Sequence, residues 1–98
     1  MRKVEIAPSF DRDAEAIGAF IEARFGAEVR RNFVADLEKI CTLIALLPSI
    51  GNYGHGYNTK LSGFAFGRNW IFFDFDEESV SFLHIVPARH DRQSPWLE

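Results

Sequence analysis

The sequence predicts an α+β domain: an N-terminal strand, an antiparallel helical hairpin and then a three-stranded antiparallel meander. Three observations carry this. Apolar residues recur at helical spacing over two neighbouring stretches in the first half of the chain. The pattern changes to aromatic and β-branched runs after Thr59. Glycine, proline and acidic clusters separate the runs as turns do. At 98 residues the chain makes a single domain, spanning 1–98, with one modest core.

The elements follow in order. "RKVEIAP" alternates weakly and stops at Pro8, which makes Lys3 to Ala7 a short strand. Ser9 is a good helix N-cap, with Asp11 and Asp13 in the first turn where negative charge meets the helix dipole favourably. Phe10, Ala14, Ile17, Ile21 and Phe25 then form one helical face, and Gly26 suits the C-cap. A second helix begins near Ala27. Its stripe is Val29, Phe33, Leu37, Ile40, Ile44 and Leu47, and Pro48 ends it. The connection is so short that the two helices must fold back on each other.

"SIGNYGHGYN" reads as a loop, because glycine and asparagine dominate it. A phosphate-cradling role would need a helix N-terminus just downstream, and the sequence after it is strand-like. His55 in this loop reads most simply as a solvated histidine. The three strands are "TKLSGF", "RNWIFFDF" and "SVSFLHIV", the last two joined by the acidic turn "DEES". The hairpin of helices should pack on one face of their sheet.

The strands carry more apolar surface than one covered face requires. The chain has ten phenylalanines. Strict alternation puts Trp70, Phe72 and Asp74 on one side of their strand, and Val80, Phe82, His84 and Val86 on one side of the next. Neither strand shows a clean polar face, whereas a sheet covered on one side normally alternates. A second cover is expected: the C-terminal tail with Trp96 and Leu97, a loop, a second copy or another protein.

Composition narrows the function classes. The formal net charge of -3 argues against coating nucleic acid through bulk charge. Cys41 is the only cysteine, so no internal disulfide forms, and it sits in an apolar stripe where a buried thiol is expected. "MRKVEIAPSF" lacks the apolar core of a signal peptide, and no run reaches the eighteen or so apolar residues of a membrane span. A cytoplasmic protein is expected. Of His55, His84, His90 and Cys41, no two have a metal-ligand spacing, so no metal site and no cofactor is expected.

Two further stretches complete the picture. The helical hairpin ends in "PSIG", and the central strand reads "GRNWIFF". The last strand runs through "HIVPARHD", placing Arg89, His90, Asp91 and Arg92 together at the end of an acidic chain. With these motifs the chain resembles the RelE/ParE superfamily of toxins from type II toxin–antitoxin (plasmid stabilisation) modules, closest to the ParE branch. The resemblance covers nearly the whole chain. It implies a small α+β toxin (β-α-α-β-β-β) held inactive by a cognate antitoxin that wraps its sheet and hairpin. The antitoxin-binding residues on this view are Trp70, Phe72 and Phe82, in a toxin–antitoxin hetero-oligomer or beside a homodimer.

The ParE branch implies inhibition of DNA gyrase and no enzymatic activity of the toxin's own. The target-binding set is then Arg68, His84, Arg89, His90 and Arg92. Arg68 and Arg89 match positions of the family pattern, and His84 occupies a position where the pattern has arginine. His90 and Arg92 are neighbouring cations. The RelE branch implies a ribosome-dependent mRNA endoribonuclease, with Arg89, His90, Arg68 and Lys60 around the phosphate. The chain has no tyrosine after Tyr57 and no lysine after Lys60, which leaves the RelE set incomplete and favours ParE. His84 and Pro87, both off the family pattern, motivate a third reading: a non-toxic protein-binding relative.

Overall fold

The computed structural model describes residues 2–53 and 61–87. The expected order of elements is present: β1 (Lys3–Ile6), α1 (Pro8–Phe25), α2 (Ala27–Leu46), and the strands β3 (Ser62–Phe66), β4 (Asn69–Phe75) and β5 (Ser79–Pro87). A 3-10 turn at Pro48–Ile50 and a two-residue strand β2 (Asn52–Tyr53) are added. The five strands form one sheet in the order β1-β5-β4-β3-β2. β3, β4 and β5 are the antiparallel meander, and β1 lies parallel to β5, Lys3 opposite Ser79 and Ile6 opposite Phe82.

Several sequence expectations shift. The stretch read as one loop from Ser49 contains β2, because Asn52 and Tyr53 complete the backbone ladder of β3. The first meander strand starts at Ser62 instead of Thr59. Helix α1 starts at Pro8, whose fixed φ suits a first helical position, with Ala7 as the N-cap. Ser9 is therefore not a cap; its hydroxyl donates to the Leu83 carbonyl at 2.6 Å. Gly26 turns the chain between the helices with φ 98° and an extended ψ of 169°. Gly67, φ 59°, opens the two-residue turn from β3 to β4.

The largest correction concerns β5. Phe73 pairs with Phe82 and Phe72 pairs with His84, so Leu83 is an extra residue and the ladder bulges there. The bulge resets the alternation. Val80 and Phe82 face the helices before it, and Ile85 faces them after it, all at 2 % exposure or less. His84 and Val86 therefore fall with their ladder partners Phe72 and Trp70, and do not share a face with Phe82.

Phe10, Leu37, Ile44, Ile71, Phe73, Phe82 and Ile85 make the core between hairpin and sheet. Phe82 sits 5.5 Å from Phe10 and 6.0 Å from Phe73, centroid to centroid. Each fully buried side chain of this size contributes roughly 1.5–3 kcal/mol. Arg30 of α2 ties the hairpin together, reaching Glu15 and Glu22 of α1 at 2.7 Å each. These two carboxylates hold its guanidinium above its ordinary pKa, Glu22 contributing most.

Candidate functional site

The two apolar stripes of the hairpin are only partly used by the core. Near the helix–helix turn, Phe20, Phe25 and Val29 stand 58 %, 64 % and 43 % exposed. The β3–β4 turn and the last residues of β5 rise to meet this end. Between them lies an open groove of about 1210 Å³. Its walls are largely apolar, from Ile17, Phe20, Ile21, Phe25, Val29 and Phe33. Its floor and far rim are Phe66, Arg68, Asn69, Ile85 and Pro87, and Asp13 and Asp36 bring negative charge to it. Exposed apolar surface concentrated in a concavity is the signature of a partner site.

Asp13 links the groove to β5. Its Oδ2 accepts the backbone N–H of Ile85 at 3.1 Å and lies 3.0 Å from His84 Nδ1. Both side chains are about one-third exposed.

The expected site residues divide into four groups. Arg68 is exposed and lines the groove, and His84 joins it through Asp13. Trp70 and Phe72 lie on the sheet face away from the helices, stacked at 6.4 Å over Gly63, where a Cβ would crowd Phe72 at 3.2 Å. Phe72 is 2 % exposed and Trp70 half-buried, so this face presents far less apolar surface than alternation alone suggests. Phe82 is a core side chain with no exposed surface, because the strand reaches it before the bulge. Lys60, Arg89, His90 and Arg92 lie outside the described residues. Sequence reading missed Asp13 as a site residue, taking it for a dipole-compensating acid. It also missed Phe20, whose aromatic ring off the predicted stripe was the available signal.

No group of metal-ligating side chains gathers among the described residues. No described helix is long and apolar enough to cross a membrane. Cys41, half-buried between the helices, has its thiol pKa pushed up to about 12, foremost by burial and further by the charge of Glu38.

With this geometry in place, comparison with known proteins is direct. The family model described as "ParE toxin of type II toxin-antitoxin system, parDE" matches residues 4–92. The chain belongs to the ParE toxin family. Among solved structures it is similar to a chain of the "Chromosomal ParDE TA system from P. aeruginosa", with a TM-score of 0.78 at 14 % identity. The match covers 91 % of this chain and 98 % of the other, so the ParE-like fold extends over nearly the whole domain. No curated protein sequence matches it significantly. Within the ParE frame, the groove lies between the hairpin and the sheet end, at the place where Arg68 and the Asp13–His84 pair stand.

Proposed function

We propose that this ParE-family chain is the toxin of a type II toxin–antitoxin module, that it inhibits DNA gyrase, and that a cognate antitoxin neutralises it by covering the groove. The observation that carries the reading is the groove itself, set in a family-typical fold. Its exposed Phe20, Phe25 and Val29 are too large and too clustered to be ordinary surface residues. A partner segment with apolar anchors at helical spacing would bury them.

The target side of the reading rests on Arg68 and His84, with Arg89, His90 and Arg92 as further cations in the sequence. The toxin needs no chemistry of its own for this function, since holding the enzyme in an unproductive state is a matter of binding. The test is expression in bacteria, alone and together with the product of the adjacent open reading frame. Growth arrest in the first case and normal growth in the second are expected. Normal growth in both would reject the reading, and transcripts cut during translation would replace gyrase by the ribosome as the target.

A further inference from the structure

β1 is an end strand of the sheet, and its outer side is open among the described residues. Lys3 N–H donates to the Glu78 carbonyl and Ala7 N–H to the Phe82 carbonyl, each at 2.9 Å. In a parallel ladder alternate residues face the neighbouring strand, so Lys3, Glu5 and Ala7 turn their backbone groups to β5. Arg2, Val4 and Ile6 turn theirs outward, and such a row is a template for another strand. The side chains of the edge are apolar on one side of the sheet. Val4 and Ile6 stand opposite Val80 and Phe82, and so lie on the helix side. Both are nevertheless 43 % exposed, as is Val34 of α2. Ile6 and Val34 line a second hollow of about 640 Å³, with Leu37 and Cys41. Lys3 and Glu5 fall on the other side of the sheet, both exposed, and Glu5 Oε1 accepts from the hydroxyl of its register partner Ser81 at 3.2 Å.

The charges choose the occupant of this edge. An antiparallel second copy of β1, placed about a two-fold axis, sets each residue opposite a fixed partner. With the axis at Lys3 or at Glu5, like charges meet face to face, which is unfavourable. With the axis at Ile6, Val4 meets Pro8, which has no N–H to give. With the axis at Val4, Lys3 stands opposite Glu5 on both sides of it, and Val4 stands opposite itself. This register also matches the outward backbone groups: Val4 exchanges bonds with Val4 of the second copy, and Arg2 with Ile6. We propose that β1 is the interface between two copies of this chain, paired antiparallel about Val4, so that the sheet runs on from one copy into the other. The same step covers the exposed Val4 and Ile6. Short edges make small interfaces, so the association is weak and depends on concentration. β1 contributes no residue to the lining of the groove, so this pairing does not rest on the toxin reading.

Sedimentation equilibrium of the pure full chain over a concentration series tests the proposal, at low salt where exposed charges are least screened. The wild type should show a monomer–dimer equilibrium. Lys3→Glu and Glu5→Lys each turn two attractive pairs into two repulsive ones, and each should raise the dissociation constant by about tenfold or more. The double swap, Lys3→Glu with Glu5→Lys, restores both pairs and should return the constant to its wild-type value. A mixture of the two single variants should dimerise for the same reason, one copy of each per dimer. A wild type that stays monomeric at every concentration overturns the proposal. A dimer indifferent to the single swaps overturns it too, since the copies would then meet elsewhere on the molecule. A double swap no better than the single ones would reject the register about Val4.

Discussion

Individual residues in this fold do work that their types alone do not announce. Gly51 ends the Pro48–Gly51 turn, and a Cβ there would sit 2.8 Å from Phe73 Cζ and 3.2 Å from the Gly63 carbonyl. Phe73 is fully buried and pinned by its neighbours, so it cannot step aside cheaply. Gly51→Ala should therefore destabilise by about 1–3 kcal/mol, the usual cost of overpacking. A thermal melt should show it as a fall of roughly 4–8 °C per kcal/mol. Cys41 makes a second residue-scale prediction. With its pKa pushed up to about 12, the thiol stays protonated at pH 8. That leaves about a thousandfold less thiolate than an ordinary cysteine, so a thiol reagent should label the native protein far more slowly than the denatured one. The same shift makes stability fall as the solution is taken above the ordinary thiol pKa, because the unfolded chain then releases a proton that the folded chain keeps.

At the scale of elements, the acidic turn between β4 and β5 shows how much local chemistry decides. Asp76 Oδ1 accepts the N–H groups of Glu78 at 2.8 Å and Ser79 at 2.9 Å. These two bonds, Glu78 first, hold its carboxyl below the usual carboxylate range. The stabilisation is present above the unfolded carboxylate pKa and is lost as pH falls through the lower folded value. Asp76→Ala should lower the melting temperature at neutral pH and flatten its decline between about pH 5 and pH 2; an equal decline in both proteins would count against this role. The elements themselves were legible for plain reasons. The stripes from Phe10 to Phe25 and from Val29 to Leu47 repeat at helical spacing, and Gly26 and Pro48 bound them. The bulge at Leu83 was not legible, since an extra residue leaves no mark in an apolar run where both faces look alike. That one residue misplaced Phe82 on the partner face and hid the meeting of His84 with Asp13. β2 and the parallel pairing of β1 were also beyond reach, because both depend on where the sheet offers an open edge.

At the scale of the whole molecule, the hairpin and the end of the sheet leave an open groove between them. The exposed phenylalanines at its mouth contribute nothing to the core cluster. Phe25→Glu should leave the melting temperature unchanged and weaken binding of the antitoxin by about tenfold or more, which calorimetry would read directly. Gyrase inhibition by the same variant should persist, because the cationic residues assigned to the target are untouched. The central claim is that this ParE-family protein is a gyrase toxin whose groove is its point of control. It is tested most directly by supercoiling of relaxed plasmid by purified gyrase, with the pure protein alone and with the product of the adjacent gene. The account predicts that the protein stops supercoiling and that an equimolar amount of that product restores it. Undiminished supercoiling at a large molar excess of the protein would contradict the account.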